Sequence, residues 1–267
     1  QAVPYTFTIN RRGVPPCQAA CALHQNAQGY ITLIAQGKYQ EARDVILRDN
    51  PLPSICGRIC THPCTLACSR ANVDEPLHIP ALKRFVMDFV GTDYHLPQPE
   101  RERPEKIAVV GAGPAGLMCA YELRQRGYQP VIYEALPMAG GMLTVGIPKF
   151  RLPREVIATE IGKFAEIGIE FRFNTRVGRD ITLEELRAQH AAVFLGIGAH
   201  VERKLGVPGE ALQNVWGGLE FLRQVNLTGP TPLNGTVLVI GGGNSAIDAA
   251  RTAWRCGAKE VRIVYRR

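Results

Sequence analysis

Short apolar runs alternate with helical patterns in the sequence from Lys106 onward. The first repeat predicts a strand over Ile107–Val110, a helix over Ala115–Arg126 and a strand over Pro130–Tyr133. The elements predicted after it are a helix over Arg154–Ile167 and strands over Ile169–Phe173 and Ala191–Leu195. Strands and helices that alternate in this way are typical of a parallel α/β sheet, so a Rossmann-like fold is expected.

The strand–helix–strand pattern returns near the end of the sequence. It predicts a strand over Thr236–Ile240, a helix over Asn244–Cys256 and a strand over Val261–Tyr265. One such unit cannot complete a doubly wound sheet, and the sequence begins with Gln1 rather than with methionine. We therefore expect the sequence to be a fragment or a split protein.

The first 95 residues follow a different pattern, which predicts helices and no convincing strand. Helices are expected at Gly29–Gln36, Tyr39–Arg48 and Ile79–Val90. Because proline restricts the residue before it and lacks an N–H, Asn50-Pro-Leu-Pro53 should end the second of them. The segment from Leu96 to Pro104 is rich in proline and charge, which is typical of a linker.

A glycine-rich loop, Gly111-Ala-Gly-Pro-Ala-Gly116, joins the first strand of the α/β region to its first helix. Its first glycine permits a tight turn, its second lets the backbone approach a pyrophosphate, and its third lets helix and strand pack closely. The N–H groups and partial positive charge at the helix N-terminus favour the phosphates. The residues predicted to bind a dinucleotide here are Gly111, Gly113, Pro114, Ala115 and Gly116.

Two further features extend this prediction. Glu134 ends the following strand, where its carboxylate can accept hydrogen bonds from ribose hydroxyls. This acid disfavours the alternative that the loop is only a structural turn. A second glycine loop also lies between a strand and a helix, and its predicted binding residues are Gly241, Gly243, Asn244, Ser245 and Ala246.

The strand after the second loop ends in arginines instead of an acid. An acid there would repel a 2′-phosphate, whereas Arg266 and Arg267 can bind one through charge-assisted hydrogen bonds. The second nucleotide is therefore predicted to be NADPH rather than NADH. The alternative is that the two arginines only mark an exposed strand end.

An acid after one loop and arginines after the other indicate one flavin site and one nicotinamide site, so the first dinucleotide is predicted to be FAD. Gly140 and Gly141 open a flexible segment that could let the backbone approach a flavin ring, although such a stretch is more often an ordinary loop. The predicted domains are a helical domain over residues 1–95, a linker over 96–105, an FAD-binding domain over 106–230 and the start of an NADPH-binding domain over 231–267.

Composition is that of an ordinary globular protein, with 46% hydrophobic and 21% charged residues. No apolar run reaches the roughly 20 residues that a membrane span needs. No secretory signal pattern opens the sequence, and a cytoplasmic location is expected. The net charge of +7 is dispersed, which favours a solvated basic surface over a nucleic-acid site and is equally consistent with a phosphorylated cofactor or an acidic partner.

Six of the eight cysteines lie before residue 70. Beside nucleotide-binding units and without an export signal, they favour a metal site over disulfides. Four of them recur every four residues, and Pro63 argues against one continuous helix. These gaps fit zinc less well than an iron–sulfur cluster, and zinc, reduced structural cysteines or disulfides are the alternatives. The candidate ligands are Cys17, Cys21, Cys56, Cys60, Cys64 and Cys68.

Several motifs occur together in order along the chain. They are Pro16-Cys-Gln-Ala-Ala-Cys21, Asn50-Pro-Leu-Pro53, Cys56-Gly-Arg-Ile-Cys60 with Cys64 and Cys68, Ala81-Leu-Lys-Arg-Phe85, the two glycine loops, Gly140-Gly141 with Gly146-Ile-Pro148, and Tyr265-Arg-Arg267. In these motifs the sequence resembles the small (β) subunit of NADPH-dependent glutamate synthase and its relatives, including the amino-terminal portion of dihydropyrimidine dehydrogenase. The resemblance implies a helical domain with [4Fe-4S] clusters, and FAD and NADPH domains that feed electrons to a partner.

The cysteines depart from the pattern of that family. Fully clustered members carry another cysteine pair shortly before the position of Cys17, and Phe7–Pro16 has none. Six cysteines suffice for one [4Fe-4S] cluster, whereas two clusters would need eight, so one is expected and a second is left open. Lys83 stands where some members place a non-cysteine ligand, and its ammonium is a poor donor.

The leading functional hypothesis is an NADPH-oxidising flavin/iron–sulfur subunit of a hetero-oligomer, which passes electrons to a catalytic or electron-accepting partner subunit. The alternative is an electron-relay or structural subunit of a larger complex without NADPH turnover of its own. A thioredoxin-reductase-like enzyme would need a Cys-x-x-Cys pair near the second nucleotide domain, and the sequence has none there.

The assignment of the second nucleotide predicts the effect of Arg266→Glu. The new carboxylate would repel a 2′-phosphate, so NADPH affinity should fall by roughly tenfold to a hundredfold, as expected when a charged hydrogen bond is lost. Titration of the protein with NADPH and NADH measures both affinities. Equal losses for the two nucleotides would mean that the arginines do not contact the 2′-phosphate.

Overall fold

The computed structural model describes residues 13–266. The chain divides into two compact units, a helical one up to Tyr94 and an α/β one from His95 onward. In the described residues, no helix is both long enough and apolar enough to cross a membrane.

The helical unit has no strand among its described residues, as the sequence predicts. Its helices are α1 (Pro16–Ala19), α2 (Ala27–Ala35), α3 (Tyr39–Asp49), α4 (Pro53–Ile59), α5 (Pro63–Leu66), a 3₁₀ helix (Ser69–Asn72) and α6 (Ile79–Val90). The predicted helices match α2, α3 and α6. Proline begins α1, α4 and α5, where its fixed φ and missing N–H suit a helix start. These short helices have no periodic apolar face that could predict them from sequence.

The core of the helical unit forms where α4 packs on α6 and α2 packs on α3. Ile46 of α3 and Val86 of α6 are fully buried there. Tyr30 of α2 is also buried, with 1% of its surface exposed. Of the short helices that carry cysteines, α4 packs on α6, and α5 contacts both α1 and α6.

The α/β unit begins with a four-stranded parallel sheet in the order β3-β2-β1-β4. Its elements are β1 (Lys106–Val110), α7 (Pro114–Gln125), β2 (Gln129–Tyr133), α8 (Met142–Val145), α9 (Arg154–Glu166), β3 (Glu170–Arg172), α10 (Leu183–Gln189) and β4 (Ala192–Leu195). The predicted strands and long helices are confirmed, with ends that shift by one or two residues. The short helices α8 and α10 were not predicted.

Alternation along the strands directs side chains to both faces of this sheet. Ala108, Val110 and Tyr133 pack with Leu186 of α10 on one face. Val109 points to the other face, towards α7 at Gly116. Because both faces are covered, β1 and β2 consist of nearly continuous apolar residues, as parallel strands usually do.

The second part of the unit contains a two-stranded parallel sheet. Its elements are α11 (Gly218–Thr228), β5 (Thr236–Ile240), α12 (Asn244–Arg255) and β6 (Glu260–Val264). Helices α11 and α12 cover one face, where Phe221, Leu222 and Ala253 form a cluster. The predicted strand–helix–strand repeat is confirmed, and α11 is an additional helix.

Candidate dinucleotide and iron–sulfur sites

The first glycine loop is sterically restricted to glycine at two positions. Gly111 has a φ of +102°, and a Cβ there would lie 2.5 Å from the carbonyl oxygen of Gly196. A Cβ at Gly116 would lie 1.9 Å from the carbonyl oxygen of Gly111. Since real Cβ atoms do not approach so closely, any larger residue would force strand and helix apart.

The loop leads directly into the N-terminus of α7. Gly113 is the N-cap in an extended conformation, and Pro114 is the first helical residue. The N–H groups of Ala115 and Gly116 belong to the first turn, which has no acceptors within the helix. Ala115 is exposed. This geometry provides N–H donors and a partial positive charge for an anionic group.

Glu134 is buried beneath this loop, with 7% of its surface exposed. One carboxylate oxygen accepts the N–H of Ala112 at 2.8 Å, and the other accepts the N–H of Leu136 at 2.9 Å. The acid therefore holds the loop to the end of β2, a role that the sequence pattern did not indicate. A carboxylate has about four acceptor sites, so capacity for ribose hydroxyls is left.

The structure brings Gly140 and Gly141 against the first loop. The N–H of Gly140 donates to the carbonyl oxygen of Ala112 at 2.8 Å. Both glycines have positive φ angles, +113° and +52°, and a Cβ on Gly141 would lie 2.9 Å from the Cα of Gly113. The two glycine segments thus lie backbone against backbone beside the N-terminus of α7.

The segment after Gly141, which was predicted to be a flexible loop, instead contains helix α8 and is held by side chains. The Arg154 guanidinium donates to the carbonyl oxygens of Ile147 at 2.8 Å and Leu143 at 3.2 Å. Thr144 donates to the carbonyl oxygen of Ala139 at 2.8 Å. These hydrogen bonds hold α8 and the residues on either side of it, which corrects the prediction of a flexible loop.

The second glycine loop has a similar geometry in the two-stranded sheet. Gly241 has a φ of +124°, and its N–H donates to the carbonyl oxygen of Val264 at 2.8 Å. Gly243 is the N-cap of α12 in an extended conformation. Asn244 and Ser245 are exposed in the first turn of α12. A Cβ on Gly241 would lie 3.4 Å from the Cβ of Ala246, so these two residues pack against each other.

The arginines predicted to select NADPH follow β6. Arg266 is exposed, whereas Arg267 lies outside the described residues. The Tyr265 ring between β6 and Arg266 packs beside Gly242, within 3.1 Å of the position that a Cβ would take. The chain after β6 therefore lies close to the second glycine loop.

Gly196 is a site residue that was not predicted from sequence. It follows β4 directly, and its backbone approaches both Gly111 and Gly116. The available signal is the glycine that follows a strand in Leu195-Gly-Ile-Gly198, because a glycine at a strand end often marks a close backbone approach.

The six candidate cysteines lie on or next to the short helices of the helical unit. Cys17, Cys56 and Cys64 lie in α1, α4 and α5, while Cys21, Cys60 and Cys68 lie outside them. The prediction that Pro63 breaks the cysteine repeat is confirmed, because α4 ends before Pro63 and α5 begins there. His62 between the two helices has a φ of +57°. All six are free thiols.

Four of the cysteines, Cys17, Cys21, Cys60 and Cys64, lie within electrostatic reach of the Tyr30 hydroxyl. Burial raises the pKa of the Tyr30 hydroxyl, and the nearby thiolates of Cys64 and Cys17 raise it further. Burial also raises the pKa of the thiols of Cys17 and Cys64, while the Lys83 ammonium acts in the opposite direction on Cys64. Such thiols ionise more readily when a metal neutralises them, since the thiolate is the ligand form.

Asn50 places an unsatisfied donor beside this cysteine group. Its side chain is buried with 1% exposed, and its Oδ1 accepts the N–H of Leu52 at 3.0 Å and lies 3.8 Å from the Cys56 sulfur. Its Nδ2 has no hydrogen-bond partner among the described residues. A buried N–H of this kind fits the sulfur acceptors of an iron–sulfur cluster.

A site for a single metal ion needs a different arrangement of ligands from a site for an iron–sulfur cluster. Within residues 13–266, no group of three or more His, Cys, Asp or Glu side chains is arranged to hold one metal ion. Each thiolate of a [4Fe-4S] cluster binds a different iron, so its ligands stand further apart than those of one ion. The donor set of six cysteines with Asn50 therefore fits a cluster.

The two glycine loops and the cysteine-bearing helical unit define a dinucleotide-binding oxidoreductase with a metal-cluster region. Residues 105–267 match the family model of the pyridine nucleotide-disulphide oxidoreductases, and residues 12–94 match that of dihydropyrimidine dehydrogenase domain II, 4Fe-4S cluster. The chain belongs to the pyridine nucleotide-disulphide oxidoreductase family. The predicted fold class, family and cofactor classes are confirmed by these matches.

Curated relatives match nearly the whole chain. The NADPH-Fe(3+) oxidoreductase subunit beta of Geobacter sulfurreducens is 44% identical over 94% of this chain and 38% of its own length. The glutamate synthase [NADPH] small chain of Escherichia coli is 35% identical over 96% of this chain and 57% of its own length. The chain therefore spans less than two thirds of the length of these relatives.

A solved structure shares the nucleotide-binding fold. It is FprA of Mycobacterium tuberculosis in complex with NADPH, with a TM-score of 0.52 and 26% identity. The match covers 62% of this chain and 44% of that one.

Two glycine-to-alanine changes should have opposite effects on stability, because one lies in the crowded first loop and the other on the open side of α9. Gly116→Ala should destabilise the α/β unit by about 1–3 kcal/mol, because the new methyl group would clash with the Gly111 carbonyl, and should reduce flavin content. Gly162→Ala is the matched control, since a Cβ there meets nothing within 4 Å. It should stabilise α9 by about 0.5–1 kcal/mol. Denaturant unfolding measures the stability of each variant, and flavin absorbance measures its flavin content. Wild-type stability and flavin content in Gly116→Ala would contradict the steric argument.

Proposed function

We propose that this chain is the electron-input part of an NADPH-dependent flavin/iron–sulfur oxidoreductase. In this function NADPH donates a hydride to FAD, and a [4Fe-4S] cluster carries the electrons to a partner subunit. Two curated relatives have names that include NADPH, one of them a subunit beta and the other a small chain. These names support the proposal.

The observation that carries the proposal is the pair of glycine loops with different strand ends. Glu134 follows the first loop, and its carboxylate can serve ribose hydroxyls in addition to the Ala112 N–H. Arg266 follows the second loop and is exposed, so it is free to reach a 2′-phosphate. Two loops with opposite end charges suit two different dinucleotides.

Each group of site residues has a proposed role. FAD is held by Gly111, Gly113, Pro114, Ala115, Gly116, Glu134, Gly140 and Gly141. NADPH is held by Gly241, Gly243, Asn244, Ser245, Ala246, Arg266 and Arg267. The cluster is ligated by four of the six cysteines Cys17, Cys21, Cys56, Cys60, Cys64 and Cys68, within a cluster domain over residues 1–95. A linker over 96–105 leads to an FAD-binding domain over 106–230 and to an NADPH-binding domain that begins at 231.

The proposed partner is a catalytic or electron-accepting subunit in a hetero-oligomer, and the proposed location is the cytoplasm. The description of the relatives as a subunit beta and a small chain supports such an assembly. Glutamine or pyrimidine chemistry is not part of the proposal for this chain, because the sequence has no residue pattern for it.

The proposed function predicts that NADPH bleaches the bound flavin. The purified full chain, shown to contain FAD, is mixed anaerobically with NADPH while flavin absorbance is recorded. Rapid bleaching is expected because hydride transfer reduces the flavin. FAD that stays oxidised would favour the alternative of a relay or structural subunit without NADPH turnover.

The cluster assignment predicts about four iron atoms and four acid-labile sulfides per chain, the content of one [4Fe-4S] cluster. Colorimetric iron and sulfide analysis of anaerobically purified protein measures both. About eight of each would indicate two clusters and two ligands beyond the six cysteines. Zinc in place of iron would contradict the cluster assignment.

A further inference from the structure

A buried ion pair connects the segment after Gly141 to helix α12. Arg151 Nη1 donates to Asp248 Oδ2 at 2.5 Å. The Asp248 side chain is 6% exposed and that of Arg151 is 29% exposed. A carboxylate that is buried to this degree is strongly disfavoured without its cation, so removal of Arg151 would leave an uncompensated charge.

Aromatic contacts reinforce the same connection. Two guanidinium groups lie over the Phe150 ring, that of Arg251 at 4.4 Å and that of Arg255 at 4.1 Å from its centroid. These arginines follow Asp248 by three and seven residues, so all three side chains share one face of α12. We call the group of Phe150, Arg151, Asp248, Arg251 and Arg255 the latch.

Helix α11 holds the beginning of the same segment. The Asn226 side chain donates to the carbonyl oxygen of Val145 at 2.9 Å and lies 3.4 Å from that of Ile147. Since Gly140 is bonded to Ala112 of the first glycine loop, the segment is attached to the first loop at one end and to α11 and α12 further along.

The latch joins chain segments that lead from the two proposed nucleotide sites. Helix α12 begins at Asn244, directly after the second glycine loop, and Asp248 lies one turn further on. The other end of the segment begins at Gly140 and Gly141, beside the first loop. The latch therefore connects the segment beside the first loop to the helix that follows the second loop.

We infer that the latch is a positioning device that sets the distance between the nicotinamide and the flavin. This inference rests on the proposed function. Hydride transfer requires reacting atoms about 3–3.5 Å apart, and a displacement near 1 Å lowers the rate by about a hundredfold. The latch residues act through the backbone segments that they join, so they are positioning residues rather than catalytic ones.

The test compares latch variants in the full chain with bound FAD. Asp248→Asn and Arg151→Gln remove one charge of the pair, Arg151→Lys retains it, and Phe150→Leu removes the stacked ring. Asp180→Asn is the matched control, because Asp180 also pairs with an arginine, Arg179 at 2.8 Å, but on the exposed surface.

Three quantities are measured for each variant. They are the flavin content, the apparent dissociation constant for NADPH, and the limiting rate of flavin bleaching at saturating NADPH. The long-wavelength absorbance of the NADPH–flavin charge-transfer complex is a fourth signal, which reports stacking of the two rings and does not depend on turnover.

The latch predicts a selective loss. In Asp248→Asn and Arg151→Gln the limiting rate should fall by roughly tenfold to a hundredfold and the charge-transfer absorbance should weaken, while flavin content and NADPH affinity stay near the wild-type values. Arg151→Lys should have a higher limiting rate than Arg151→Gln, because it retains the charge. Phe150→Leu should lose less of the limiting rate than the two charge variants, and Asp180→Asn should behave as the wild type.

Other outcomes overturn the inference or the proposal beneath it. Wild-type rates and absorbance in both charge variants, or a rate loss explained fully by lost flavin, would overturn the positioning role. If Asp248→Asn and Arg151→Gln fail to hold FAD, the bleaching rates of Phe150→Leu and Arg151→Lys are compared with the wild-type rate instead. Wild-type rates in both of these variants would overturn the positioning role. Absence of bleaching in the wild type would instead refute the proposed function.

Discussion

Contact between two stretches of backbone, at Gly113 and Gly141, is the constraint on which the α/β unit depends. Ala112 is the residue that fixes it: its N–H is bound by the Glu134 carboxylate and its carbonyl oxygen by the N–H of Gly140. Ala112 is itself fully buried, so both polar groups need these partners. One acid and one glycine amide thereby determine the shape of the loop and its distance from the segment that leads to the latch.

The long elements of this fold can be predicted from sequence because their side chains repeat with a regular period. Strand β5 has the predicted bounds, and α6 begins and ends at the predicted residues. The shorter elements are different. Helix α8 has four residues and is stabilised by the distant Arg154, and no local pattern reveals a hydrogen bond to a side chain that comes later in the chain. Propensity is a weak guide wherever tertiary contacts decide the conformation.

The same limit applies to the candidate sites. The glycines of the two loops and the cysteines were predicted from spacing, because each has a chemical or steric role at its own position. The residues that contact these groups from elsewhere in the chain were not predicted. Asn50 stands six residues before Cys56, and Asp248 is 97 residues from Arg151. A charge pair of the separation of Arg151 and Asp248 becomes visible only when the fold brings its elements together. The hydrogen bond from the Ala112 N–H to Glu134 was missed for a related reason, because a backbone donor leaves no signal in the sequence.

The outer face of β5 has a practical consequence for handling the protein. Leu238 and Ile240 are 62% and 68% exposed, and exposed apolar surface promotes self-association. The net charge of +7 opposes this through mutual repulsion between molecules, and salt screens that repulsion over about 10 Å at 0.1 M. Colloidal stability should therefore decline as ionic strength rises, and sulfate, which also strengthens apolar association, should lower it further.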